Sequence, residues 1–206
     1  MALSTFVKIN EITNLSDARY CSGMFVDLLG FNLSKENQKA LSGQQFSDVT
    51  GWLSGIEFAA EFNQEPFEFV ENELANYEGI QWVEHQNLSV LDQLQDKGFK
   101  IILKLDITGF KSLKEEWVKS LSEREILIHI QSKTELLSEQ EKELIKTLSQ
   151  STKVILGSGI KPDNIHDLIE TLSLKGIALN GGEEIKPGLK DFDELADILE
   201  KLEVED

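Results

Sequence analysis

The strongest constraint this chain places on its fold is an alternation. Short runs rich in β-branched or apolar residues recur from end to end, each followed by a longer amphipathic run. The strand-like runs are Phe6 to Asn10, Leu28 to Leu33, Gly55 to Phe62, Gly79 to Glu84, Lys100 to Ile107, Ile126 to Gln131, Lys153 to Gly159 and Gly176 to Asn180. The helix-like runs are Ser16 to Met24, Gln44 to Leu53, Phe67 to Tyr77, Val90 to Asp96, Leu113 to Leu121, Glu139 to Ser149, Asp163 to Leu172 and Asp193 to Leu202. Strands joined through one helix run parallel, because the crossover returns the chain to the same edge. Eight such units in 206 residues meet the lower size limit of a closed barrel and fill one core. Residues 1–206 are therefore read as a single-domain (β/α)8 TIM barrel of the α/β class. A doubly wound open sheet is the competitor, but its first strand feeds a glycine-rich turn, and Asn10-Glu11-Ile12-Thr13 contains no glycine.

Charge narrows the partners. Twenty Lys+Arg against 37 Asp+Glu give a formal net charge of −17, which repels nucleic acid and anionic membrane, so neither is an expected partner. One cysteine, Cys21, forms no internal disulfide, and no apolar run approaches the roughly 18 residues of a membrane span. The amino terminus MALSTFVKI has neither a basic start nor a long apolar segment, and the expected setting is a reducing cytoplasm.

Strand periodicity sorts the side chains. In the first strand Val7 and Ile9 face the helices, leaving Lys8 and Asn10 to the barrel interior. The same rule groups Ile102, Lys104 and Asp106; Glu57, Ala59 and Glu61; Gln81, Val83 and His85; and Leu127, His129 and Gln131. These polar groups are expected in one interior, with Lys8 and Lys104 near Glu57, Glu61 or Asp106, since an unpaired buried charge costs several kcal/mol. Such a cluster serves either as a structural ion-pair network or as a ligand site. His129 is open to the same two readings, with Asp106 or Gln131 as its expected structural partners. Phe58, Phe62, Trp82 and Trp117 are expected in the core, Cys21 as a buried thiol and His166 on the surface. Gly157-Ser158-Gly159 and Asn180-Gly181-Gly182 follow strands seven and eight, where barrels bind phosphate through backbone N–H groups; tight turns are the alternative use of such glycines. No dense metal-ligand motif such as His-Glu-x-x-His occurs, and neither metal nor cofactor is expected.

Val7-Lys8-Ile9-Asn10-Glu11-Ile12-Thr13-Asn14-Leu15-Ser16-Asp17-Ala18 resembles the opening of the phosphoribosylanthranilate isomerase family, Val-Lys-Ile-Cys-Gly-Ile-Thr-Asn-Leu-Glu-Asp-Ala. Leu29-Gly30-Phe31, Asn63-Gln64-Glu65-Pro66 and Ile80-Gln81 match in order. Gly159-Ile160-Lys161-Pro162-Asp163-Asn164-Ile165 resembles the family's Gly-Leu-Thr-Pro-Glu-Asn-Val, and Gly182 to Asp191 its Gly-Val-Glu-x-x-Pro-Gly-Val-Lys-Asp. The resemblance implies a (β/α)8 barrel and an Amadori rearrangement in tryptophan biosynthesis. That reaction needs a general acid on the sugar ring oxygen and a general base on the C2 proton.

The resemblance implies a base at the family cysteine and an acid at an aspartate ending strand six. Here those positions are Asn10 and His129, and the glycine after the cysteine is Glu11. A neutral amide accepts no proton, whereas imidazole titrates near neutrality. The arginine that the family places near the anthranilate carboxylate is Lys39. The family's Gly-Gly-x-Gly after strand six has no counterpart in Ser132 to Leu137, and its His-Gly after strand four becomes Val83-Glu84. Two functions follow from the resemblance and its departures. One is a diverged or non-catalytic homologue that binds a small molecule, a sugar phosphate among the candidates, through the same mouth. The other is an active isomerase using His129 with a carboxylate such as Glu11 or Asp106. A monomer and a homodimer are both open.

Overall fold

The computed structural model describes residues 2–111, 115–132, 136–181, 183–186 and 189–204. Eight parallel strands close into a barrel in chain order: β1 (Phe6–Asn10), β2 (Leu28–Asn32), β3 (Glu57–Glu61), β4 (Trp82–His85), β5 (Lys100–Asp106), β6 (Leu127–Gln131), β7 (Val154–Leu156) and β8 (Gly176–Asn180). β8 pairs back onto β1 from Phe6↔Gly176 to Asn10↔Asn180, which leaves the barrel sheet without a free edge. Helices α1 (Leu15–Gly23), α2 (Gly43–Thr50), α3 (Phe67–Leu74), α4 (Leu88–Asp96), α5 (Ile107–Lys111), α6 (Glu115–Glu123), α7 (Glu139–Ser149), α8 (Ile165–Leu172) and α9 (Asp193–Leu202) fill the crossovers and the carboxyl end.

Local chemistry sets the boundaries. β1 stops because Glu11 adopts a left-handed backbone at φ 55°, which swings the chain away until the Ile12 N–H donates to the Gly30 carbonyl at 2.8 Å. Asn14 then starts α1 by accepting from the Asp17 N–H at 3.0 Å. Reciprocal capping boxes start α2 (Ser42 with Gln45) and α7 (Ser138 with Glu141).

The apolar residues form two cores, as strand alternation requires. Outward faces such as Val7, Ile9, Leu29, Phe31, Ile128 and Ile130 bury against the helices, with the Phe46 ring of α2 edge-on to Phe31 at 4.8 Å. Inside the barrel, Leu28, Ala59, Ile102, Leu127, Ile155 and Ala178 form a separate apolar layer beside Phe6 and Trp82. Each fully buried Leu or Ile contributes roughly 1.5–3 kcal/mol, so these layers hold the barrel around the polar residues stacked above them.

The structure departs from the sequence expectation in four places. β4 spans Trp82–His85, and it is Trp82 and Glu84 that point inward, opposite to the expected Gln81, Val83 and His85 face. β7 is three residues long, ending before the expected Gly157 to Gly159 extension. A short helix, α5, follows β5 directly, and part of the expected Leu113 to Leu121 helix lies outside the described residues. An antiparallel pair, β9 (Glu183–Lys186) with β10 (Leu189–Asp191), lies between β8 and α9, where the sequence reading placed no element.

Candidate functional site

Above the inner apolar layer the barrel carries charge. Lys8 from β1 is fully buried, and its ammonium donates to Glu61 of β3 and to the Asn10 side-chain oxygen. It also lies 3.0 Å from Glu84 Oε2 of β4. Glu84 is equally buried, and its other oxygen meets Lys104 Nζ of β5 at 3.5 Å. The same Oε2 accepts from His129 Nδ1 of β6 at 2.9 Å. Gly30 makes room for this network, because a Cβ there would collide with the Glu61 carboxylate.

The charges set one another's protonation. Burial pulls the Lys8 pKa down, but Glu61 and Glu84 together hold it above its ordinary value. Burial would raise Glu84, but Lys8 foremost, then His129 and Lys104, hold its carboxyl well below the usual carboxylate range. Glu61 is pushed up by burial and by Glu84, against the pull of Lys8. Burial lowers His129 despite the raising influence of Glu84, so the imidazole is neutral near pH 7. A neutral ring facing a carboxylate carries its proton on Nδ1. Among the described residues Nε2 is left as a bare acceptor without a hydrogen-bond partner, so near Gly157 that a Cβ there would collide with it.

The expected catalytic residues fall on this network and its rim. Asn10 is 4 % exposed, and its amide donates to Asn180 Oδ1 at 3.2 Å while its oxygen is held by Lys8. Glu11 lies exposed at the mouth; its backbone N–H donates to Glu61 Oε2 at 3.2 Å and its carboxylate accepts from Asn32 at 3.1 Å. Lys39 shares a shallow hollow of about 40 Å³ with Glu11 and Asn32. Asp106 was expected beside His129 and is instead turned to the Gly109 N–H, which donates to it at 2.6 Å, and it pairs in register with Gln131. Lys104, expected near Glu57, Glu61 or Asp106, is held by Glu84. Glu57 sits at the opposite end, bonded to Lys100 and to the Trp82 indole.

The proposed phosphate loops are partly committed elsewhere. The Gly157 N–H donates to Ile130 O at 2.8 Å and the Gly181 N–H to Asn10 O at 3.4 Å. Ser158 Oγ accepts from Ser132 N at 2.7 Å, and Gly159, at φ 74°, offers its carbonyl to Asn164. Gly182 lies outside the described residues. His85 is structural: its Nδ1 accepts from Asn87 N at 2.8 Å and its Nε2 faces the Glu65 carbonyl at 2.9 Å, pinning the turn after β4. Among the described residues no group of three or more His, Cys, Asp or Glu side chains gathers to hold a metal ion, and no helix is long and apolar enough to cross a membrane.

Two features went unseen in the sequence. Glu84 shows in the sequence only as a departure from the family's His-Gly; its role as hub of the interior has no local mark, since its partners come from β1, β5 and β6. A cleft of about 910 Å³ opens between the ends of β4, β5 and β6, lined among others by Gln64, Gln86, Lys104, Asp106, Trp117 and Gln131. Trp117, expected in the core, is 50 % exposed on its wall.

Comparison with known proteins places this geometry. The chain is 26 % identical over 210 residues to N-(5'-phosphoribosyl)anthranilate isomerase of Aquifex aeolicus, covering 97 % of this chain and 98 % of that protein. Its fold matches the crystal structure of phosphoribosyl anthranilate isomerase from Thermus thermophilus at a TM-score of 0.77 and 20 % identity, over 96 % and 98 % of the two chains. A second isomerase structure, in complex with reduced 1-(O-carboxyphenylamino)-1-deoxyribulose 5-phosphate, matches at a TM-score of 0.74 and 18 % identity over the same shares. The sequence model described as N-(5'phosphoribosyl)anthranilate (PRA) isomerase matches residues 7–201, and the chain belongs to that family.

Proposed function

We propose that this protein is a diverged, non-isomerising member of its family that binds a small molecule at the carboxyl-terminal mouth of the barrel. The observation that carries the reading is the engagement of Asn10. Its carboxamide points inward from the end of β1, its oxygen held by the Lys8 ammonium and its nitrogen by Asn180. An amide so held has no basic lone pair with which to take a proton from a sugar carbon.

The acid side supports the same reading. A neutral His129 with its proton on Nδ1, committed to Glu84, has none on Nε2 to give to a ring oxygen, and that atom is buried. Both buried carboxylates, Glu61 and Glu84, are occupied by Lys8. A single buried thiol suits the reducing cytoplasm in which we place the protein.

A second reading, an isomerase working through Glu11 with His129, draws on the exposed Glu11 carboxylate at the rim. Expression in a tryptophan auxotroph that lacks the isomerase separates the two. The proposal expects no growth without tryptophan. Growth at the normal rate, abolished by His129→Ala or Glu11→Gln, overturns it and establishes the second reading.

A further inference from the structure

We propose that the cleft between the ends of β4, β5 and β6 binds an uncharged polyhydroxylated ligand, a sugar or polyol, stacked on Trp117. The inference deepens the proposed function, resting on its view that the mouth binds without isomerising, and it names the chemical class.

The described lining of the cleft leaves no cation free for an anionic ligand. Lys104 is already paired with Glu84 at 3.5 Å, and Asp106 accepts from the Gly109 N–H at 2.6 Å. A phosphate or carboxylate arriving there meets no uncommitted cation among the described lining residues, on a chain whose formal net charge is −17. The remaining polar groups are mostly carboxamides. Gln64 and Gln86 bond to each other through one donor and one acceptor at 3.2 Å, which leaves the Gln64 oxygen and the Gln86 nitrogen for a ligand. Gln131 adds a third carboxamide from the end of β6. Carboxamides both donate and accept without charge, which is what a set of hydroxyls requires.

The aromatic wall supplies the other half. On α6, Val118 and Leu121 are buried at 3 % and 1 % exposure, while Trp117 keeps half its surface open on the cleft. An indole face beside carboxamides matches a sugar ring, whose C–H face is apolar and whose rim is hydroxylated. About 910 Å³ accommodates one or two such rings.

Saturation-transfer difference NMR on the full chain tests this, with D-ribose, D-xylose, D-glucose and glycerol as uncharged probes and ribose 5-phosphate as the anionic comparison. The expected result is a saturable signal from at least one uncharged probe. Its Kd rises about tenfold in Trp117→Ala, as loss of a stacking ring predicts, and rises also in Gln86→Leu. It is unchanged in Trp52→Ala, whose exposed indole follows α2 at the far end of the barrel. Circular dichroism verifies that each variant is folded. No saturable signal from any uncharged probe, binding of ribose 5-phosphate alone, or undiminished binding in Trp117→Ala overturns the inference. Complementation of the auxotroph reads the earlier proposal separately, so absent sugar binding with absent growth sinks only the cleft. Growth with intact sugar binding sinks the non-isomerising reading and the foundation under this one.

Discussion

Glu84→Gln keeps the shape of the barrel's hub and removes its charge. The carboxamide oxygen still accepts from Lys8 or His129, so the hydrogen-bond count changes little. What changes is that Lys8 keeps one buried carboxylate, Glu61, in place of two, and Lys104 loses its ion pair with Glu84. Removing one partner of a buried ion pair costs about 3–5 kcal/mol, and the isosteric amide places this variant near 3 kcal/mol. For a chain of this size each kcal/mol lowers Tm by roughly 2–4 °C, so a fall of about 6–12 °C is expected. Urea unfolding followed by circular dichroism at neutral pH measures the loss, with an unchanged m-value showing that the unfolded reference is the same. The pH dependence has a defined sign. The Glu84 carboxyl is held below its ordinary value of 4.5, so its contribution is fully present above that pH and is lost as pH falls through the folded-state value. The gap between wild type and variant should therefore stay constant above pH 4.5 and narrow below it. Adding Lys8→Met removes a stranded charge, so the double variant should be less destabilised than the sum of the single ones by at least about 0.5 kcal/mol. A loss below about 1 kcal/mol, or strict additivity, would refute the picture of a dry, mutually dependent network.

Gly157→Ala drives a methyl into the His129 ring, which is fixed by Glu84 and has nowhere to go; a loss of about 1–3 kcal/mol in urea unfolding is expected, and a neutral result would mean the ring is free to move. Glu11→Gly relieves a left-handed backbone at φ 55° and forfeits one exposed hydrogen bond to Asn32, so stability should rise by up to about 1 kcal/mol, and a loss instead would assign the Glu11 side chain a structural role. Burial lowers both His129 and His85 below their ordinary value of 6.5. The folded state then binds fewer protons, so stability is full above pH 6.5 and declines as pH falls below it. His129→Gln should flatten part of that decline, as thermal unfolding at pH values from about 5 to 7 will show.

Strand four is where reading the sequence met its limit, and the reason is physical. Periodicity alone gave the barrel, because eight apolar strands and eight amphipathic helices admit few other closures, and it placed Lys8, Asn10, Glu61, Lys104 and His129 correctly inside. In Gln81-Trp82-Val83-Glu84-His85 the same rule pointed the wrong way. Gln81 and His85 are polar and suggested the interior, yet each sits at a strand end and is satisfied by backbone: the Gln81 oxygen accepts from Phe58 N at 2.8 Å, and His85 bonds to the Glu65 and Asn87 backbone. Trp82 suggested the outer core but stands inside, its indole donating to Glu57 at 2.7 Å. Strand-end polar groups can be served by loops, so their polarity says little about which face they share with Val83. Only the long-range register between β3, β4 and β5 decides it. The same blindness hid the role of Glu84, whose partners Lys8 and His129 lie 76 positions before and 45 after it in the chain. A four-residue strand is too short to outvote its ends, and a charge at its centre is explained by residues that no local window contains. It follows that the departures of Asn10 and His129 from the family pattern were readable one residue at a time, whereas the observation behind the proposed loss of proton transfer, the joining of both residues in one buried network through Lys8 and Glu84, required the closed barrel.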